Sequence, residues 1–315
     1  MVGSARSRDL AEPTLPLNHR LRRMMQKKFL LRLAPWFYLV VPVGLLLLFT
    51  YLPVANMFSY SFTSWDGLDK QKDWVGLDNY IRIFTDPEIF AVFRVSLYYL
   101  AGAFLQLGLA LYLATILSFE LRAKNFFKGV IFFPYLINGV AIGFVFLYLF
   151  QGDGALDLLL RFFGLDFLIQ QWLGNPDVVN WSMTGTSVWR YLGFNVVLYL
   201  GAIASIQPEL FEASELDGAN RWHQFRYIIL PSIKRITLLT MILAISGSLS
   251  VFEIPYIMLM GANGTETFVI STVEKAFQLR KVGLASAMAV VLLFIVLIVT
   301  AIQRWLVKDE RAELS

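Results

Sequence analysis

"PELFEASELDGANRWHQFRYIILPS", residues 208–232, is a polar, turn-containing insert between two long apolar runs. It carries Glu209, Glu212, Glu215 and Asp217, the cations Arg221 and Arg226, His223, Gly218, and a proline near each end, Pro208 and Pro231. Proline suits the first turn of a helix. From Pro208, "ELFEASELD" therefore reads as a short helix with Leu210, Phe211, Ala213 and Leu216 offering apolar surface and the acids turned outward. Gly218 permits the positive φ of a sharp reversal. After it "ANRWHQFRYIIL" reads as a second short helix, with Trp222, Phe225 and Ile229 at helical intervals, until Pro231 limits its continuation. Large apolar groups on such a helix-turn-helix elbow serve either a docked partner or the protein's own helices. The residue pattern by itself leaves both open.

The runs around the elbow set the fold class. The chain's 315 residues are 57% hydrophobic and 15% aromatic, with only 16% charged, which suits a bilayer better than water. Crossing roughly 30 Å of hydrocarbon takes about 20 apolar residues at about 1.5 Å of rise each. Such windows occur at 35–58, 92–118, 127–150, 187–206, 236–260 and 284–306. The sequence thus predicts an all-α integral membrane protein of six transmembrane helices, with a basic segment 1–34, a six-helix domain 35–306 and a tail 307–315. The first run is too long for a cleavable signal and no A-x-A-like site follows it, so it is expected to stay as an anchor. Residues 1–17, with two prolines and few apolar anchors, read as disordered. No repeat, low-complexity tract or second domain is evident.

Lysine and arginine fix the expected orientation, because short cytoplasmic segments retain them. They concentrate before helix 1, after helix 2, in the elbow after helix 4 and after helix 6, and thin out in the alternate segments. Both termini and the elbow are therefore expected in the cytoplasm. The stretch "SWDGLDKQKDWVGLDNY" between helices 1 and 2, acidic and tryptophan-bearing, reads as an exterior loop. "HRLRRMMQKKFLLR" reads as the positive anchor of helix 1, with an amphipathic helix on anionic lipid as the alternative.

Several function classes close early. With no cysteine there is no disulfide framework, thiolate metal site or thiol nucleophile. A net charge of +4 and a pI near 9.2 do not point to nucleic acid, since the basic residues lie in short segments between apolar runs. His19 and His223 are the only histidines and sit in separate segments, so neither metal binding nor acid–base catalysis is expected. No Ser/His/Asp set or membrane-depth pair of acids suggests hydrolysis, and the chain does not read as an enzyme.

Residues 212–231 resemble the cytoplasmic coupling motif of permease subunits of binding-protein-dependent ABC importers. That motif is written E-A-A, three residues, G, nine residues, I-x-L-P. Here it reads Glu212, Ala213, Ser214, then Gly218, then Ile228, Leu230 and Pro231, with both spacings kept and Ser214 in place of the second alanine. Asp217 and Ala219, flanking the glycine, also resemble the family's common form. "NFFKGVIFFPYLINGVAIGFVFLYLF" with Pro134, "WRYLGFNVVLYLGAIASIQPEL" and "FEIPYIMLMGANGTETFVISTVEKAF" extend the likeness over most of the chain and resemble the oligosaccharide class of carbohydrate importers. Two positions depart from it. "LMGANG" stands where that subgroup often has Gly-Gly-Pro, and Arg235 where a second proline is common.

The resemblance implies a division of labour. In the family the elbow fits a groove on a separate ATPase, which binds ATP and Mg. This chain has no G-x-x-x-x-G-K-[ST] phosphate loop and is expected to bind no cofactor or metal of its own. The implied partners are a second permease subunit, two ATPase subunits, an extracytoplasmic sugar-binding protein and membrane lipid, in a prokaryotic cytoplasmic membrane. Glycerol-phosphate import is the close alternative within the family.

A polyol cargo needs hydroxyl partners and aromatic faces inside the membrane. Glu253 is the leading candidate, because an acid at membrane depth costs about 2.5–3.5 kcal/mol at a helix centre and so faces a cavity or a partner. Lining a cavity and pairing with an arginine of the companion subunit are both open. Gly247 and Pro255 would let helix 5 bend near it. Tyr256 and Asn195 are secondary candidates, against interface anchoring and helix-to-helix bonding respectively, and Gln106 shares that caution. An ion-coupled secondary transporter would want more intramembrane acids and matching halves, and a scaffold would need only the elbow.

Overall fold

The computed structural model describes residues 38–119 and 123–312. The segment 1–34, the first residues of the first predicted helix and the end of the tail lie outside the described residues. The chain divides into two units, one ending at Asn56 and the other beginning at Met57. In the first, the described residues form one helix, which runs on to Tyr60. Its turn Leu47–Tyr51 is π-helical, with the Leu52 N–H donating to the Leu47 carbonyl. Pro53 follows at once. The wider turn keeps the proline ring off the carbonyl four residues back, which an α-turn would push against it.

The second unit holds the remaining spans. Pro87–Ser118, Pro176–Ala204, Lys234–Leu259 and Val282–Trp305 are each long and apolar enough to cross a bilayer, as is Tyr38–Tyr60. Lys124–Leu136 and Gly139–Leu149 meet at 96° and supply a sixth span if counted together. Among the described residues every regular element is helical, and the one extended pairing is an isolated bridge from Thr63 to Trp74.

The predicted boundaries shift in three places, each for a local reason. The fourth helix begins at Pro176 rather than at 187, started by the Asn175 side chain, which accepts the Asp177 N–H at 3.0 Å. The third predicted helix, 127–150, is broken. Pro134 cannot donate a backbone hydrogen bond, the first piece ends at Leu136, and the Asn138 side chain caps a new helix by accepting the Val140 N–H at 2.8 Å. The fifth is interrupted at residues 250–252. There Pro255 offers no N–H to the Val251 carbonyl, and the Thr267 hydroxyl donates to that carbonyl instead at 2.7 Å.

The Pro176–Ala204 helix is the hub, packing on Phe93–Ser118, on Lys124–Leu136 and on both pieces of the fifth span. A Cβ at Gly193 would collide with the Ile131 carbonyl, so glycine lets the hub and the first piece of the broken span touch backbone to backbone. Two hydrophobic clusters form along the hub. Val95, Tyr99, Val179, Met183, Ile254 and Met258 make one near its start. Ala110, Ala114, Leu117, Val196, Tyr199, Ile203, Ile229 and Ile233 make the other near its end.

Candidate functional site

Between those clusters lies a cavity of about 560 Å³. Phe93–Ser118 contributes Gly102 and Gln106 to its wall, the hub contributes residues from Thr184 to Asn195, and the fifth span contributes Thr240 to Ile254. At its floor the Tyr199 hydroxyl and Thr240 Oγ1 are 3.0 Å apart in a buried hydrogen bond. The wall carries aromatic faces, with Tyr135 and Phe194 stacked at 4.8 Å. It also carries buried polar atoms without a protein partner, Tyr99 OH, Thr184 Oγ1 and Arg190 Nε. Buried polar groups ordinarily have partners, and these three are enclosed in the wall without one.

The charged lining residues are Arg190 and Glu253, and they face each other. An Arg190 guanidinium nitrogen donates to Glu253 Oε2 at 2.5 Å, with the arginine side chain 12% exposed and the glutamate 41%. Arg190 comes from the middle of the hub, about 21 Å along from Pro176 at helical rise. Glu253 opens the short helix Glu253–Leu259 beyond the interruption of the fifth span. Its carboxylate lies where a Cβ of Gly139 would be, against the first residue of Gly139–Leu149. The two late pieces of the broken spans thus pack together with the carboxylate between them, near the amide end of a helix that favours negative charge.

Of the candidates from sequence, Glu253 and Asn195 line the cavity together with Gln106. Tyr256 does not line it and stacks on Phe252 with ring centres 4.6 Å apart. Glu253 finds its arginine within this chain. Sequence reasoning missed Arg190 because residues 176–186 are polar enough to read as loop, which put it at a helix end. Asn175-Pro176-Asp177, a cap followed by proline and an acid, was the signal that could have moved it to the middle.

The elbow forms as two arms. Pro208–Leu216 is helical, Gly218 has φ +79°, and Asn220 caps a second arm by accepting the His223 N–H at 2.9 Å. The arm continues as Arg221–Gln224, π-helical Phe225–Ile229 and Leu230–Ser232. Pro231 therefore does not end the arm; a π-turn precedes it, as before Pro53, and the Leu230 N–H donates to the Phe225 carbonyl. Phe211, Phe225 and Ile229 turn inward onto the cluster at the end of the hub. Arg221 rests 4.0 Å from the ring centre of Phe119, at the end of Phe93–Ser118.

The outward face is apolar as well. Leu216, Trp222 and Tyr227 are 89%, 65% and 73% exposed. Glu212, Ala213, Asp217, Gly218, Leu230 and Pro231 are exposed too, while Ser214, Ala219 and Ile228 are half-buried. Sequence reasoning also missed Gln224, a buried strut that joins the arms by donating through Nε2 to Ser214 Oγ at 3.1 Å and to Glu215 Oε1 at 3.4 Å. The serine that replaces the motif's second alanine is its partner. Among the described residues no group of three His, Asp or Glu side chains could hold a metal ion.

Residues 106–312 match the family described as "Binding-protein-dependent transport system inner membrane component". The chain is 33% identical over 288 residues to the probable ABC transporter permease protein YurN of Bacillus subtilis (strain 168), covering 90% of this chain and 98% of the relative. It is 28% identical over 284 residues to the multiple sugar-binding transport system permease protein MsmF of Streptococcus mutans serotype c (strain ATCC 700610 / UA159), covering 89% and 97%. Among solved structures, a bacterial ABC transporter involved in the import of the acidic polysaccharide alginate superposes with a TM-score of 0.77 at 21% identity, over 92% of this chain and 99% of the other.

Proposed function

Because the chain belongs to the family of binding-protein-dependent transport system inner membrane components, we propose that it is the permease of an ABC importer that carries a sugar or oligosaccharide across a prokaryotic cytoplasmic membrane. Both ends and the elbow face the cytoplasm. A second permease completes the pathway, two ATPase subunits bind ATP and Mg and grip the elbows, and an exported binding protein delivers the cargo. Closure of the ATPase pair favours one arrangement of the elbow, and that differential binding biases the helices toward the outward-open state.

One observation carries this reading. Phe211, Phe225 and Ile229 of the elbow are packed into the same cluster as Val196, Tyr199 and Ile203 of the hub, whose preceding turns line the cavity. Movement of the elbow is thereby movement of the cavity wall. The aromatic and hydroxyl-bearing lining supports a saccharide cargo, as does the multiple-sugar name of the Streptococcus relative.

The test is to tag the chain in its host, purify it in mild detergent and identify what accompanies it. An ATPase, a second permease and an exported sugar-binding protein are expected, with sugar uptake lost on deletion of the chain and lowered by Glu253→Ala in an assembled complex. A chain that purifies alone and transports in liposomes on an ion gradient would overturn the importer.

A further inference from the structure

We infer that the Arg190–Glu253 pair makes this pathway selective for an uncharged saccharide over a uronic or phosphorylated one; the inference rests on the reading of the cavity as the sugar path. Among the described residues the charged groups of the lining are one cation and one anion, already joined at 2.5 Å. An acidic cargo entering between the clusters loses hydration and must recover it from a protein cation. In this chain's lining that cation is Arg190, whose one partnerless nitrogen, Nε, is itself buried. Arg190 is bound by Glu253 on one side and lies 5.1 Å from the ring centre of Tyr191 on another.

The carboxylate is held on one side by packing and remains 41% exposed on the rest. It occupies the space that glycine leaves at position 139, between two packed helix pieces, and a Cβ there would collide with it. A cargo carboxylate would meet Glu253 as a like charge, the repulsive element by which sites reject wrong ligands. The rest of the polar lining, Gln106, Ser187, Asn195 and Ser248 among it, is neutral and can both donate and accept. Such groups suit sugar hydroxyls. Stacked Tyr135 and Phe194 offer an apolar face to a sugar ring.

The fold is shared with an importer of an acidic polysaccharide, so the fold does not by itself set the cargo class, and this chain's share of the choice falls to the charge balance of its lining. The experiment measures equilibrium binding of maltotriose, trigalacturonate and glycerol 3-phosphate to the purified full complex without its binding protein, by saturation-transfer-difference NMR titration. The wild type is expected to bind maltotriose more tightly than either anion. Glu253→Gln keeps the size of the side chain and removes the negative charge that neutralises the guanidinium. It should tighten trigalacturonate roughly ten- to a hundredfold, the worth of one hydrogen bond between charged groups. Gly139→Ala, which displaces the carboxylate by another route, should move the same ratio in the same direction. The gain must vanish in Arg190→Gln/Glu253→Gln.

Equal binding of the anions by the wild type, no gain in either single variant, or a gain that survives loss of Arg190 would each overturn the inference. So would a wild-type complex that retains no probe. In that last case the importer reading, judged by co-purification and ATP-driven uptake, would still stand.

Discussion

Gly218→Val tests whether the elbow works as a rigid piece. The glycine has φ +79°, and a Cβ built on it meets nothing within 4 Å. Any damage within this chain is therefore backbone strain rather than crowding. A left-handed conformation costs an ordinary L-residue about 1–2 kcal/mol, with β-branched valine at the upper end and asparagine well below it. The turn to be disturbed is held by the Ala219 N–H on the Ser214 carbonyl at 2.9 Å and by the Gly218 N–H on the Glu215 carbonyl at 3.1 Å. About 2 kcal/mol corresponds to roughly a 30-fold shift in the population of the formed turn. Proteoliposomes bearing the assembled complex would report ATP hydrolysed per sugar taken up. The ratio should rise from wild type through Gly218→Asn and Gly218→Ala to Gly218→Val, while the chain still inserts and assembles. Full coupling in Gly218→Val would refute the reasoning. So would a Gly218→Asn variant as damaged as Gly218→Val, since that would assign the loss to side-chain bulk.

Three further substitutions probe the struts. Thr267→Val removes the hydroxyl that serves the Val251 carbonyl and caps Ile270 at 3.3 Å; it should lower stability by about 1–3 kcal/mol, read as a fall in the thermal unfolding midpoint in detergent, with partial recovery when Pro255→Ala restores a backbone donor. Gln224→Ala should loosen the elbow by about 1 kcal/mol and expose residues 208–232 to faster amide exchange, whereas Ser214→Ala/Gln224→Leu, which removes both partners, should recover most of the protection. Gly193→Val should drive the hub off Ile131, and an unchanged yield of monodisperse protein would count against the close approach.

How much could be read beforehand depended on whether a feature was local. The elbow was legible because proline, glycine and their spacing act within a few residues. Helix existence was legible because a lipid-facing surface must be apolar for about 20 residues. The start of the fourth helix was not. Asn180, Ser182, Thr184 and Thr186 are buried against protein, not lipid, and a hydropathy window treats them as loop. The Asn180 side chain donates to the Gly264 carbonyl at 3.1 Å, a partner far along the chain. Pro134, Asn138 and Gly139 all stood in the sequence, yet an averaged apolar run hid the break they make. The meeting of Arg190 with Glu253 is a tertiary fact, and no spacing encodes it.

The breaks and the hub have opposite mechanical roles. The hub carries the Arg190 side of the cavity and the elbow-side cluster on one uninterrupted helix, so displacement at the elbow is not absorbed before it reaches the lining. The third and fifth spans are each cut where they meet the cavity, and their late pieces, Gly139–Leu149 and Glu253–Leu259, pack on one another. Those pieces carry Glu253. A shift of the hub against them changes the one ionic contact between the two groups, at the level where cargo would pass. The Asn138 side chain serves the Val140 N–H at one cut and the Thr267 hydroxyl serves the Val251 carbonyl at the other, partners of the kind that let a helix break inside a membrane. The permease thus has a stiff member tied to its elbow and a second, separately hinged member, with the charge pair bridging them.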